Sequence, residues 1–243
     1  MNTRQFGNMK VTWIGDNATE RILPLSLFKD VPEEIIKECH IENGIQSSFS
    51  AFLVELSDIT ILIDTGLGVP DSLLIPKLKQ LNYTPDDIKY IYITHFHGDH
   101  IGGLMRNGER VFKNATLYIC KAEYDGWMNY PEEKKAQSVK TTEAYKDQIH
   151  FFNYGDVLPG GVKTLDCSGH TPGQTLYEIG GALFCADLLH GVALQKNHPE
   201  FCASYDANPT NSVAKRKQFI QYAKENHLVL YGCHFPDPGY IEF

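Results

Sequence analysis

The sequence predicts a single α/β domain, and three features indicate it. Short runs rich in β-branched and aromatic residues alternate along the chain with polar, helix-compatible segments. Several of these runs end in His or Asp followed by Gly, and open α/β architectures place their chemistry at such strand ends. With 243 residues and 42% hydrophobic content, the chain can bury one substantial core. We therefore expect residues 1–243 to form one domain.

Ten segments show the alternation or the short apolar run that is typical of strands. Two pairs of them are separated by Ser57-Asp58 and by Gly180-Gly181, and these short turn sequences indicate hairpins. In chain order the predicted strands are Met9–Trp13, Ala51–Leu56, Ile59–Ile63, Ile88–Ile93, Val111–Lys113, Thr116–Cys120, Val162–Leu165, Thr175–Ile179, Ala182–Ala186 and Leu228–Tyr231.

The predicted helices are Glu33–His40, Ser72–Leu81, Ala122–Gln148 and Asn211–Glu225. Pro32 suits the first position of the first helix, because that position needs no N–H donor. The rest of segment 19–50 shows no clear helical or strand periodicity in its apolar residues. This segment is either an excursion that folds over the active face or an ordinary edge connection.

Composition and charge exclude several classes of protein. A net charge of −8 disfavours a nucleic-acid partner, and no apolar run approaches the roughly 18 residues that a membrane-spanning helix needs. The N-terminus has no apolar signal core, so we expect a cytoplasmic protein. The six dispersed cysteines favour reduced thiols. Cys185 and Cys233 lie near candidate ligands, but their spacing favours packing over metal binding.

The densest group of chemically active residues is Thr94–Gly103, which follows a predicted strand. It holds His95, His97, Asp99 and His100 within six residues and ends in a Gly-Gly turn. Imidazole is the commonest protein ligand for zinc and similar ions, and a carboxylate adds an oxygen donor. The pattern therefore favours a metal site over a histidine-rich surface loop.

Four more His or Asp residues end other predicted strands, namely Asp64, His170, Asp187 and His234. Asp64 is placed either to accept a hydrogen bond from a ligand imidazole or to form a turn. The remaining donors divide into two sets, with His95, His97 and His170 for one ion, Asp99, His100 and His234 for a second, and Asp187 between them. Without a thiolate, these sets suit Zn²⁺, Mn²⁺, Fe²⁺ or Co²⁺.

His95-Phe96-His97-Gly98-Asp99-His100 matches the His-x-His-x-Asp-His signature, and through it the sequence resembles the metallo-β-lactamase fold superfamily. The resemblance continues through Asp64-Thr65-Gly66, Gly169–Gly173, Asp187 and His234, and spans nearly the whole chain. It implies a four-layer αββα sandwich, in which helices flank two mixed β-sheets. It also implies two divalent metal ions at one edge, with Zn²⁺ the first expectation.

Within that superfamily, the sequence resembles the methyl parathion hydrolases and the neighbouring N-acyl-homoserine lactonases. Gly98 stands where redox-active flavo-diiron members carry a Glu ligand, which disfavours oxidoreduction. Ala186–His190 and His234–Gly239 are similar to the methyl parathion hydrolase group. His190 takes the place of a lactonase Tyr that contacts the substrate carbonyl oxygen. A His can donate the same hydrogen bond, and a packed or solvent-facing histidine is the alternative.

The resemblance implies hydrolysis of an ester-like bond (a lactone, aryl ester or phosphotriester) by a metal-bridging hydroxide. We expect His190 to stabilise the oxyanion, and Asp99 or a metal-bound water to protonate the leaving oxygen. The alternatives are a thioester hydrolase of the glyoxalase II type, a nuclease, a β-lactamase and a non-catalytic, metal-stabilised binding module. The expected partner is a small-molecule substrate, with no nucleic acid and no membrane, and a homodimer is left open.

Overall fold

The computed structural model describes residues 1–243. Its strands are β1 (Asn2–Phe6), β2 (Met9–Gly15), β3 (Arg21–Leu23), β4 (Ile45–Ser47), β5 (Ser50–Glu55), β6 (Thr60–Ile63), β7 (Tyr90–Ile93), β8 (Met105–Arg106), β9 (Glu109–Arg110), β10 (Thr116–Cys120), β11 (Ile149–Phe152), β12 (Val157–Leu158), β13 (Val162–Asp166), β14 (Thr175–Ile179), β15 (Ala182–Phe184), β16 (Val229–Tyr231) and β17 (Tyr240–Ile241). Its helices are α1 (Glu33–Glu38), α2 (Leu74–Gln80), α3 (Gly98–Ile101), α4 (Lys121–Met128), α5 (Glu132–Ala144), α6 (Val192–Gln195) and α7 (Pro209–Glu225).

The strands form two large mixed sheets and two small hairpins. The first sheet has the order β1-β2-β5-β6-β7-β10-β11, antiparallel from β1 to β6 and parallel from β6 onwards. The second sheet has the order β12-β13-β14-β15-β16-β17, and only its β15–β16 pair is parallel. The small hairpins are β3-β4 and β8-β9.

The two large sheets pack against each other through a shared core that includes Phe52 of β5 and Phe184 of β15. Successive side chains of a strand point to opposite faces, so Leu53 of β5 packs outward with Leu78 of α2. On the outer face of the second sheet, Phe219 of α7 joins a third apolar cluster. This arrangement confirms the predicted four-layer αββα sandwich.

Several predicted elements differ from the structure. Ala122–Gln148 is not one helix, because Pro131 cannot donate to a helical ladder and separates α4 from α5. Pro32 precedes α1 as its N-cap, one position earlier than predicted. The strand predicted at Val111–Lys113 is absent. There the Tyr145 hydroxyl accepts from Phe112 N, and the Gln148 side chain donates to Lys113 O, so side chains replace a strand ladder.

The segment 19–50 contains β3, β4 and α1, and it packs against α6, which follows Asp187 in the chain. Leu23, Phe28 and Ile45 pack with Leu194 of α6 in a small apolar cluster. The segment therefore has a core of its own that fixes it beside the candidate site. None of the helices combines the length and the apolar character needed to span a membrane.

Candidate metal centre

The seven side chains predicted as metal ligands lie together at one edge of the sandwich. They follow strands of both sheets, since His95–His100 come after β7 and the other three ligands come after β13, β15 and β16. The donor atoms of His95, His97, His170 and Asp187 lie within 4.8 Å of one another, and those of Asp99, His100 and His234 form a second such group with Cys233. Five of the seven are buried, His97 and Asp99 are half-buried, and the Asp99 side chain is 20% exposed.

In the first group, three imidazole nitrogens point toward one another. His97 Nδ1 is 3.0 Å from His95 Nε2 and 2.8 Å from His170 Nε2, and Asp187 Oδ2 is 3.3 Å from His170 Nε2. Burial lowers the pKa of His97 to about 3 and that of His95 well below its usual range. Both imidazoles are therefore uncharged near neutral pH, which is the state that binds a metal ion.

Asp187, a member of the first group, faces two imidazoles of the second group with its two oxygens. Its Oδ1 is 3.1 Å from His100 Nε2, and its Oδ2 is 3.0 Å from His234 Nε2. Asp99 Oδ2 lies 3.7 Å from His100 Nε2 and 3.6 Å from His234 Nε2. Although burial would raise the pKa of Asp187, His234 and His100 hold it well below its usual range.

Two atoms, one from each group, show that the residues fit a divalent cation. His100 Nε2 and Asp187 Oδ1 are both buried, and neither has an aligned hydrogen-bond partner. Native proteins rarely leave buried polar groups in this state. A cation coordinated by both atoms would satisfy them, and the imidazole and carboxylate donor set is the one that zinc and its neighbours bind.

The hydrogen bond predicted for Asp64 is present. His100 Nδ1 donates to Asp64 Oδ2 at 2.7 Å, and the backbone N–H of Thr94 donates to Asp64 Oδ1 at 2.8 Å. The Thr94 hydroxyl donates to Asp64 Oδ2 as well, at 2.7 Å. A carboxylate behind the ring fixes the tautomer, so that Nε2 of His100 carries the lone pair that faces the site.

A second carboxylate, Asp206, holds His170 in the same way, and the sequence did not indicate it. His170 Nδ1 donates to Asp206 Oδ1 at 3.1 Å, and Arg216 Nη2 pairs with Asp206 Oδ2 at 3.1 Å. Arg216 is itself 1% exposed and donates through Nε to Leu188 O. Although burial opposes the charge, hydrogen bonds to Asp187 and Asp206 raise the pKa of His170 to about 9.

Glu123 joins two of the ligand loops and was also missed. It is buried at 1% exposure and accepts hydrogen bonds from Phe96 N (2.9 Å), Thr171 Oγ1 (2.8 Å) and Gly173 N (2.7 Å). Phe96 lies between His95 and His97, and Thr171 follows His170. A single carboxylate thus sets the distance between the loops that supply three ligands of the first group.

The site opens into a cavity of about 530 Å³, a size typical of small-molecule sites. Besides the site residues, Arg21, Phe49, Leu67, Gln137 and Tyr205 line it. None of these was singled out individually in the sequence: Leu67 directly follows the Asp64-Thr65-Gly66 motif, and the other four come from segments outside the ligand motifs.

The aromatic residues near Trp127 do not line this cavity. Trp127 is 3% exposed and packs edge-on against the rings of Phe96 and His97, with centroids 6.2 and 5.3 Å apart. Trp127 is therefore a core residue.

His190 is packed against the site, not turned to solvent. It is 2% exposed, and its ring lies parallel to His234 at 5.3 Å. Its Nε2 is 3.4 Å from Asp187 Oδ2, yet neither ring nitrogen has an aligned hydrogen-bond partner. Burial lowers the pKa of His190 to about 4. The ring is therefore neutral near pH 7 and has one N–H to donate.

All six cysteines are free thiols. Cys233 lies with the second group of donor atoms, but its Sγ donates to Ser50 O at 3.2 Å, and burial raises the pKa of the thiol to about 11. A protonated thiol is a poor ligand. Cys185 packs in the apolar cluster beneath α7. Both observations agree with the predicted packing role.

Comparisons with known proteins point to one superfamily. The family model described as the Metallo-beta-lactamase superfamily matches residues 48–234. An N-acyl homoserine lactonase from Bacillus cereus is 33% identical, over 74% of this chain and 79% of its own length. Among solved structures, the hydrolase AbOPH of the beta lactamase superfamily is 29% identical, with a TM-score of 0.85 over 99% of this chain and 92% of its own.

A second solved structure shows the same fold at lower identity. It is AidC, described as a dizinc quorum-quenching lactonase in complex with a product, and it is 23% identical. Its TM-score is 0.87, over 98% of this chain and 92% of its own.

Proposed function

The chain belongs to the metallo-beta-lactamase superfamily and is a metal-dependent hydrolase, and we propose that it cleaves ester-like bonds with the help of two divalent metal ions. The observation that carries this proposal is the convergence of seven His and Asp side chains at one edge of the sandwich, where five of them line a cavity of about 530 Å³. Lactones are the first substrates to test, because the Bacillus cereus relative is named as an N-acyl homoserine lactonase. Aryl esters and phosphotriesters are the next.

The proposed ligands divide as the two groups of donor atoms do. His95, His97 and His170 would hold one ion, and Asp99, His100 and His234 would hold the other. Asp187 lies 3.1 Å from His100 Nε2 and 3.3 Å from His170 Nε2, and it would supply oxygen donors to both. The imidazole-rich set favours Zn²⁺, with Mn²⁺, Fe²⁺ and Co²⁺ as alternatives. Ions bound here would lower the pKa of water and polarise the bond to be cleaved.

Asp99 is the proposed proton carrier. Its side chain is 20% exposed and lines the cavity. Although burial favours the neutral acid, His100 and His234 hold the pKa of Asp99 below its usual range. The carboxylate is therefore ionised near neutral pH, and we propose that its Oδ2 takes up a proton and passes it to the leaving oxygen.

His190 is the proposed donor to the oxyanion that develops on the substrate. The ring lines the cavity, is neutral and has no aligned partner for its N–H. Removing one such donor typically costs about 100- to 1000-fold in kcat. We expect His190→Phe to lose turnover to about this extent while it keeps both metal ions.

The control is His198→Phe, which removes a histidine that pairs with Glu38 outside the cavity. This variant should retain wild-type turnover. Unchanged kcat in His190→Phe would remove the oxyanion role, and loss of one metal ion would make His190 a ligand instead.

The test of the function is a substrate screen on metal-loaded protein. Lactones, aryl esters, phosphotriesters and thioesters are compared at equal concentration, with chelated protein as the control. We expect saturable turnover on a lactone or another oxygen ester. A preference for thioesters would indicate the glyoxalase II type of reaction, and metal-dependent melting without any turnover would indicate a binding module.

Three further expectations belong to the same proposal. We expect residues 1–243 to unfold as one cooperative domain, which calorimetry can check. We expect the protein to act in the cytoplasm on a small molecule, with no nucleic acid or membrane partner. Sedimentation will decide between a monomer and a homodimer.

A further inference from the structure

Arg21 is the only lysine or arginine that lines the cavity. It lies in β3, and its guanidinium lies over the ring of Phe49, with Cζ 4.1 Å from the ring centroid. Its Nη1 donates to Ser47 Oγ at 2.8 Å. The Phe49 ring in turn meets the His234 ring edge-on at 5.7 Å. One aromatic ring therefore separates a fixed positive charge from a proposed metal ligand.

The guanidinium of Arg21 lacks the carboxylate partner that most arginines of this chain have. Of the five arginines, Arg4, Arg110 and Arg216 each form an ion pair with an aspartate or glutamate. Arg21 has only the neutral Ser47 hydroxyl. A guanidinium carries five N–H donors in a planar fork. Most of these donors thus remain available beside the cavity.

The geometry of Arg21 matches one kind of ligand. A planar fork binds a carboxylate through two parallel hydrogen bonds, and stacking on an aromatic face holds that plane in place. Phe49 supplies the aromatic face. Because Arg21 and the metal-binding residues line the same cavity, a substrate whose carboxylate pairs with Arg21 would present its ester bond to those residues.

We propose that Arg21 is a specificity-determining residue that selects esters bearing a free carboxylate at the end remote from the scissile bond. This inference rests on the proposed hydrolysis of ester-like bonds and adds the chemical class of the substrate. Arg21 contacts the remote group only, so its loss should affect KM more than kcat.

The experiment uses a matched pair of substrates, monophenyl glutarate and its neutral methyl ester. Both are assayed with the metal-loaded wild type, Arg21→Met and Arg21→Lys. For the wild type we expect a lower KM for the anionic ester. Arg21→Met should raise that KM about 10- to 100-fold, as expected for a lost hydrogen-bonded ion pair. It should leave the KM of the neutral ester within about twofold and kcat unchanged. The KM of Arg21→Lys for the anionic ester should lie between those of the wild type and Arg21→Met, because lysine keeps the charge but lacks the planar fork.

The matched control is Arg106→Met, which removes an exposed arginine that does not line this cavity. It should behave as the wild type on both esters. Thermal melting checks that the variants fold. If Arg21→Met melts at a lower temperature than the wild type, Arg21→Gln replaces it, because Gln keeps a planar amide over Phe49.

Equal KM values of the wild type for the two esters would overturn the role of Arg21 and leave the proposed function intact. Parallel changes on both esters in Arg21→Met would overturn it too, because they would show that Arg21 only supports the cavity wall. If the wild type cleaves neither glutarate ester nor any member of the substrate screen, the proposed function itself fails.

Discussion

Glu123 is expected to contribute more to stability than any exposed acidic residue of the chain. Its buried carboxylate accepts hydrogen bonds from Phe96 N, Thr171 Oγ1 and Gly173 N. Glu123→Ala would leave these three donors without a partner, and each unpaired buried donor costs about 1–3 kcal/mol. Water that enters the vacated space would hydrogen-bond to some of these donors and so restore part of the lost stability. We therefore expect the free energy of unfolding to fall by about 3–5 kcal/mol.

Denaturant unfolding of the metal-loaded protein measures this loss. The control is Glu143→Ala, which removes an exposed glutamate paired with Lys146 and should cost less than about 1 kcal/mol. Because Glu123 spaces the loops of His97 and His170, we also expect about tenfold weaker metal binding in a chelator competition. The reasoning is refuted if Glu123→Ala unfolds within about 1 kcal/mol of the wild type and binds metal equally well.

Two further predictions concern the carboxylates behind the ligand imidazoles. Asp64→Asn removes the carboxylate that accepts from His100 and should weaken metal binding about 10- to 100-fold in a chelator competition. The control is Asp58→Asn, which changes an aspartate in an exposed turn. Superimposable binding curves of the two variants would contradict this prediction. Arg216→Met leaves Asp206 buried without its ion-pair partner and should lower the free energy of unfolding by about 3–5 kcal/mol. The double variant Arg216→Met/Asp206→Asn should recover part of this loss, because it also removes the buried charge. If the double variant recovers no stability, the unpaired Asp206 charge is not the cause of the loss.

Most strands of the two large sheets and the candidate metal ligands could be predicted from the sequence because their signals are local. Alternation over a few residues defines β7, and the spacing of His95, His97 and His100 is visible in one loop. The Asp and Gly residues that end strands extended this to His170 and His234. The four-layer arrangement itself followed from the resemblance to a superfamily, since periodicity does not define how two sheets pack.

The remaining features depend on contacts between residues far apart in the chain. Asp206 meets His170 across 36 residues, and Glu123 reaches Thr171 across 48. Nothing in the sequence near either carboxylate distinguishes it from an exposed one. The edge strands β1 and β17 were missed for a similar reason, because they owe their state to pairing with neighbours and not to their own pattern. Arg21 reaches the cavity only because the 19–50 segment folds beside it.

The most direct test of the central claim is the metal content of the protein measured together with its turnover. Inductively coupled plasma mass spectrometry gives the number of metal ions per chain in the purified, chelated and reconstituted protein. The turnover of the same samples is measured on the best ester or lactone substrate. We expect two divalent ions per chain, loss of turnover on chelation, and recovery when the second equivalent of Zn²⁺ has been added. Full turnover by the chelated protein, or reconstituted protein that binds no ion, would contradict the proposed two-metal hydrolase.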